Sequence, residues 1–399
     1  MKILFVCHHL PYPPARGGKI RPFNMIRWLS TRHEVTVASV AHSTAELEAG
    51  RDLAKFCHQC ETGVISTRRA WWQALRCLFS LKPSSLGYFY VPPLHRAIQQ
   101  RLKEGAFDLI FVHCSSAAQY VLDYADCYRI MDFGDMDSAK WFEYAQRRTF
   151  PLSLVYYLEG LKLRRYEKKI GRAFDECTVV APAEKEIIEA YGLQVPVTVI
   201  PNGVDLHFFT NTQEDYDATS LIFLGKMDYY PNVDAVVYFC QDILPRIRHE
   251  IPDVHFTIVG RTPSHRVRQL AKLPGVHVTG EVPDVRPYLQ RAAVSVAPMR
   301  IARGMQNKVL ESMAMRVPVV ASSRAFEGLD AIAGTHLLVD DTSQGFATKV
   351  VALLRDPTLR QRLADAGRRQ IEACHTWPVC LQRLDRLITS RVEAFVKLS

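Results

Sequence analysis

The sequence predicts an α/β protein of two facing Rossmann-like domains with parallel sheets. Three observations carry this. The chain's 399 residues exceed the roughly 250–300 at which a single hydrophobic core stops growing. Short apolar runs alternate with amphipathic stretches, the order that produces parallel βαβ units. That alternation begins twice, once at Lys2 and again near Ser220.

The first domain opens with a buried strand over Lys2–Cys7, a short apolar run. Pro11 to Gly18 reads as a loop, because its prolines and glycines interrupt regular structure. A helix follows from Ile20 to Ser30, then a strand over Glu34–Val40 (EVTVASV). Residues 67–104 mix helix and loop and are rich in aromatic and basic side chains. Strands over 108–112, ending at His113, and over 128–132 come next, then a long basic helix over 154–174. Strands over 178–181 and 197–200 close this half. The second domain repeats the plan with strands near 220–225, 254–260, 276–279, 293–298 and 318–321. Helices are expected over 233–248, 285–292, 308–315 and most of 343–396. The domains are placed at 1–198 and 199–378, with the last helix, 379–399, packing back on the first.

Composition narrows the function. Hydrophobic residues make up 48% and charged residues 23%, which excludes a disordered chain. The net charge of +9 points to an anionic partner, and the absence of common nucleic-acid modules argues against nucleic acid. The 10 cysteines lack framework spacing and read as free thiols of a reducing compartment. Cys57 and Cys60 form a lone CxxC without the second ligand pair a zinc site needs. The short N-terminal apolar run is not a secretory signal, and no stretch of ~18 apolar residues spans a membrane. A cytoplasmic protein is expected, peripheral to a membrane if anything carries it there.

The chain has neither GxGxxG nor GxxxxGK[ST], so phosphate must be held another way. Gly17 and Gly18 follow the first strand at the carboxyl edge of the sheet, where open α/β sheets bind ligands and glycine lets backbone approach a diphosphate. The second candidate runs from Ala302 to Ala314. There Gly304, Met305 and Gln306 form a turn that opens a helix whose N-terminus suits a diphosphate. Glu311 lies deeper on that helix, placed to accept hydrogen bonds from ribose hydroxyls.

RGMQNKVLESMAMRVPVVAS (Arg303–Ser322) resembles the EGFGxPxLEAMAxGxPVVAS pattern of glycosyltransferases of the GT-B fold, retaining family 4 type. The resemblance implies that Glu311 is the ribose-binding glutamate. Arg303 stands where that pattern has its first glutamate, and a cation cannot accept the sugar's hydroxyls. IPNGVDLHFF (Ile200–Phe209) matches IPNGVDxxxF, and FLGKMDYYPN (Phe223–Asn232) resembles the GRxxxxKG diphosphate clamp. Lys226 then matches the clamp's arginine, Asn232 lies near its lysine, and Lys308 is the candidate replacement. Gly260, Glu281 and Val282 fall in segments similar to those near the family's base pocket, and His113 ends a strand as its catalytic-site histidine does. His8 and His9 also end a strand. DFGDMDSAKW (Asp132–Trp141) and GKMDYYPN resemble the narrower sugar transferases of PEP-CTERM/exosortase exopolysaccharide systems.

The resemblance implies transfer of a sugar from a nucleoside diphosphate to an acceptor hydroxyl with retention of configuration, the donor lying in a cleft between the domains. His113, Lys226 and Arg303 are the expected catalytic residues, with cations and helix N–H groups stabilising the leaving diphosphate. No cofactor and no metal is expected. The acceptor is expected to be lipid-linked or a saccharide, because the basic amphipathic stretch 143–172, joined by Trp71 and Trp72, can lie on an anionic membrane surface. A nucleotide-sugar epimerase and a non-catalytic nucleotide-binding scaffold are the alternatives.

Overall fold

The computed structural model describes residues 1–14, 17–105, 107–211, 216–392 and 395. The expected loop at 15 and 16, and positions 393, 394 and 396–399 of the expected C-terminal helix, lie outside the described residues. The chain divides into two compact units, Met1–Ile200 with Leu381–Ser399, and Pro201–Cys380.

The first unit is a seven-stranded parallel sheet in the order β3-β2-β1-β4-β5-β6-β7. Its strands are β1 (Lys2–Cys7), β2 (Glu34–Ala41), β3 (Gln59–Val64), β4 (Leu109–His113), β5 (Tyr128–Gly134), β6 (Glu176–Val179) and β7 (Val197–Val199). Around it run α1 (Gly17–Leu29), α2 (Thr44–Ala49), α3 (Thr67–Leu78), α4 (Ser84–Tyr88), α5 (Pro92–Glu104), α6 (Asp137–Gln146), α7 (Leu152–Ala173) and α8 (Pro182–Glu189). The central strands are apolar runs buried on both faces, as crossover helices require.

Gly17 and Gly18 form the first turn of α1 instead of a loop. Buried pairs hold that turn helical: Lys19 Nζ lies 2.6 Å from Glu46, and Arg21 is bound to Asp132. Strand β3 was not expected, because QCETGV has no apolar run; it is an edge strand, exposed at Gln59 and Cys60.

The second unit is a six-stranded parallel sheet in the order β10-β9-β8-β11-β12-β13. Its strands are β8 (Asp217–Leu224), β9 (His255–Val259), β10 (Val276–Gly280), β11 (Ala292–Ala297), β12 (Val319–Ala321) and β13 (Leu338–Val339). Its helices are α9 (Tyr230–Tyr238), α10 (Leu244–Glu250), α11 (His265–Leu270), α12 (Arg286–Gln290), α13 (Asn307–Ala314), α14 (Ser323–Phe326), α15 (Ser343–Arg355) and α16 (Pro357–Cys374). The helix expected over 233–248 is two helices separated by a π-helical turn at Phe239–Ile243, just before Pro245. A last helix, α17 (Trp377–Leu387), belongs to the first unit from Leu381 onward. There Asp385 accepts from Trp28 Nε1 at 3.0 Å and pairs with Arg32.

Each sheet reverses its winding once, between β1 and β4 in the first unit and between β8 and β11 in the second. The crevice outside the carboxyl ends at such a reversal is where open α/β sheets take ligands.

Candidate active site

At the first reversal, His113 is the last residue of β4 and is buried. Its Nδ1 lies 2.7 Å from Oδ2 of Asp132, its register partner on β5. Arg21 grips the same carboxylate twice, Nε to Oδ2 at 2.9 Å and an Nη to Oδ1 at 2.7 Å. Thr178 adds a hydroxyl to Oδ1 at 2.7 Å, and the other Nη of Arg21 donates to the Ile200 carbonyl. Burial alone would raise the Asp132 pKa, but Arg21 and His113 outweigh it and hold the carboxyl well below the usual range. With Nδ1 so engaged, the ring's tautomer and angle are fixed and Nε2 is left for chemistry. His8 lies tilted 4.1 Å from His9 and 5.9 Å from His113, ring centre to ring centre, and His9 Nδ1 meets His42 Nε2 at 2.6 Å. Arg21 and Asp132 were not singled out in the sequence. The available signal was an acid at the end of the strand run YRIMD, directly after apolar Ile130 and Met131, which a buried position tolerates only with a partner.

At the second reversal, the loop after β11 leads through Gly304, whose φ of +59° is left-handed, to the start of α13. Met305 is buried, and Gln306, at the N-cap, donates from Nε2 to the Arg303 carbonyl at 3.2 Å. No side chain caps the helix, so its first N–H groups and the positive end of its dipole stay available to an anion. Val309, Leu310, Met313 and Ala314 bury the opposite face, and Ser312 bonds to Ser295 of β11 at 2.8 Å. This packing sets the helix against the sheet.

Lys308 and Glu311 sit three residues apart on the half-buried face. Lys308 Nζ donates to Oδ1 of Asn232 at 2.6 Å and lies 4.4 Å from the Phe223 ring centre. Asn232 in turn donates to the Lys226 carbonyl at 3.0 Å, and Gly225 leaves room for it, since a Cβ there would fall 2.6 Å from Nδ2. The side chain of Glu311 makes no hydrogen bond among the described residues. Burial pushes Lys308 down to about 7 and Glu311 up to about 7, each partly offset by the other's charge. A cation and a carboxylate are therefore held near the same helix end without full compensation.

The structure brings together Gly304, Met305, Gln306, Lys308 and Glu311. It does not bring in the Lys226 side chain, whose ammonium pairs instead with exposed Asp228 at 3.0 Å. Arg303 is half-buried on the same loop. Gly260 directly follows β9, and a Cβ there would lie 1.6 Å from the Gly225 carbonyl oxygen, so close approach of the chain after two strands explains this glycine. Glu281 is exposed and follows Gly280 at the end of edge strand β10, while Val282 packs on the apolar cluster of Ile222, Leu224 and Val259 below that edge. Gly17 and Gly18 lie in the first unit, after β1.

Comparison with known proteins places this geometry. Residues 218–356 match the family of glycosyl transferases group 1. Over 318 residues the chain is 26% identical to a phosphatidyl-myo-inositol mannosyltransferase of Mycolicibacterium smegmatis, covering 77% of each chain. Sucrose-phosphate synthase of Thermosynechococcus elongatus shares the fold with a TM-score of 0.71 at 16% identity, over 99% of this chain and 100% of that one. HepE of Anabaena, solved with UDP, does so with a TM-score of 0.69 at 14% identity, over 98% and 100%. The second unit, over the segment that holds α13, is thus similar to glycosyl transferases of group 1, and the two parallel-sheet units share the GT-B fold of these neighbours.

Proposed function

We propose that this enzyme moves a sugar, with retention, from a nucleoside diphosphate to the hydroxyl of a lipid-linked or saccharide acceptor in cell-surface polysaccharide synthesis. The observation that carries the donor reading is the Lys308 ammonium, held on Asn232 beside the uncapped start of α13, with the Glu311 carboxylate three residues further on. The diphosphate lies across the α13 N-terminus and Lys308, and Glu311 accepts from the ribose hydroxyls. Lys308 supplies the charge that Asn232 lacks, and Arg303 adds a second cation toward the phosphates. HepE has been solved with UDP-glucose, a donor of this class.

In the first unit, His113 Nε2 contacts the transferred sugar near the reacting carbon, with Asp132 and Arg21 fixing the ring. Negative charge developing on the leaving diphosphate is met by preorganised N–H groups and cations, which need no reorganisation during the reaction. Gly17 and Gly18 offer backbone N–H groups to donor or acceptor at the carboxyl edge.

The acceptor reading rests on an exposed apolar and basic face. Trp71, Trp72 and Phe79 are 65%, 67% and 89% exposed, among exposed Arg68, Arg69, Arg76 and Lys82. Lys162 of α7 donates to the carbonyls of Cys77 and Leu78 at the end of α3, joining this face to exposed Leu154, Tyr157 and Leu158. No helix among the described residues is long and apolar enough to cross a membrane. An aromatic and cationic face of this kind suits the surface of an anionic bilayer.

Replacing Glu311 with alanine tests the donor site. It should weaken nucleotide binding by about 1–3 kcal/mol, measured by calorimetry across UDP, GDP and ADP, the cost of a lost charge-assisted hydrogen bond. Unchanged affinity for every nucleotide removes Glu311 from the site.

A further inference from the structure

A second concave site lies at the opposite edge of the first sheet from His113. Glu176 opens β6 and Val197 opens β7, so both mark the amino edge of a parallel sheet, whereas His113 ends its strand. With α17 and the turn that follows it, these residues enclose a shallow cavity of about 440 Å³. Arg383, Arg386, Ser390 and Arg391 line it, at the spacing that puts side chains on one helical face. The three arginines are exposed, and none makes an ion pair or hydrogen bond among the described residues.

Glu176, 1% exposed, also lines the cavity. Its Oε1 accepts from Thr198 at 2.8 Å, while its Oε2 is buried without any hydrogen-bond partner. An orphaned buried carboxylate oxygen costs free energy unless a donor reaches it. Burial raises the Glu176 pKa, and the nearby charge of Arg391 only partly counters this.

Three guanidiniums gathered over one cavity call for an anion with several oxygens, and phosphate is the group their forks match. The buried oxygen of Glu176 calls for a hydroxyl donor. The cavity is also larger than inorganic phosphate needs and falls within the range of small-molecule sites. We propose that it binds a small hydroxylated phosphate monoester of the sugar-phosphate class. Its phosphate lies on Arg383, Arg386 and Arg391, and one of its hydroxyls donates to Glu176 Oε2. The site stands independently of the donor reading, because its residues belong to the first unit and Glu311 to the second.

Calorimetric titration of the full chain with glucose 6-phosphate, and separately with inorganic phosphate, tests this. Glucose 6-phosphate should bind saturably and more tightly than inorganic phosphate. Arg383→Ala with Arg386→Ala, both exposed and so neutral to folding, should weaken it tenfold or more. Glu176→Gln should weaken glucose 6-phosphate more than inorganic phosphate. Glu311→Ala should leave both affinities unchanged, whatever it does to nucleotides. No saturable binding, or an affinity indifferent to the arginines, overturns the site. Loss of binding in the Glu311 variant overturns it too, since the anion then lies in the second unit. An equal effect of Glu176→Gln on both probes overturns the hydroxyl contact.

Discussion

The two sheet reversals hold charge in opposite ways. In the first unit Asp132 is saturated: His113, Arg21 and Thr178 supply a donor to every face of its carboxylate. In the second unit Lys308 rests on a neutral amide and an aromatic face, and Glu311 has no hydrogen-bond partner among the described residues. The first arrangement is finished and serves to position one imidazole. The second is left unbalanced, and on the donor reading proposed above a bound anion with hydroxyls completes it. A saturated network resists change and an unsaturated one recruits a ligand, so mutations should separate the two sites.

The largest effect is expected from Asp132→Ala. It strands Arg21 in the interior and should cost about 3–5 kcal/mol of stability in urea unfolding. A loss below about 1 kcal/mol would mean that the network is not preorganised. The Asp132 carboxyl is held below its unfolded value, so its contribution is present above about pH 4 and is lost as pH falls further.

Glu311→Gln should do the reverse in the second unit. Its raised carboxyl costs stability that grows as pH rises from about 4.5 to about 7 and is complete above that. At pH 8 the amide should therefore stabilise the ligand-free protein by about 1–2 kcal/mol after screening, while nucleotide binding weakens. Destabilisation would place Glu311 in the same class as Asp132.

A finer distinction comes from protons. At pH 8 Lys308, pushed down to about 7, is mostly neutral. A diphosphate favours its charged form, so binding should take up about one proton, read from calorimetry in buffers of different ionisation heat. Proton release would reverse the assignment. The smallest change in stability, within about 0.5 kcal/mol, is expected for Trp71→Ser, Trp72→Ser and Phe79→Ser together. Flotation with anionic vesicles at low salt should nonetheless be lost, and retention would remove α3 from the membrane face.

Much of the architecture was legible because apolar runs mark buried strands: DLIFV and VHFTIVG locate β4 and β9 within a residue or two. Strand β3 was not, since an edge strand need not be apolar and QCETGV carries no periodic signal. The turn at Gly304 and the depth of Glu311 followed from helical spacing. What spacing does not carry is the meeting of residues far apart in the chain. Arg21 and Asp132 are separated by 111 positions, and Lys308 and Asn232, 76 apart, were linked only through the family resemblance. The Gly17–Gly18 turn misled for the same reason, because the partners that keep it helical, Glu46 and Asp132, come from helix α2 and strand β5.

The contact between Lys308 and Asn232 bears on how relatives of this enzyme are compared. A positive charge can migrate from one wall of a binding crevice to the facing wall while its head group stays in place. Alignment columns then record a loss on α9 and an unrelated gain on α13, although the volume next to the ligand is unaltered. Exchanging the two side chains, Asn232→Lys with Lys308→Asn, is thus a nearly silent double step whose single steps are not.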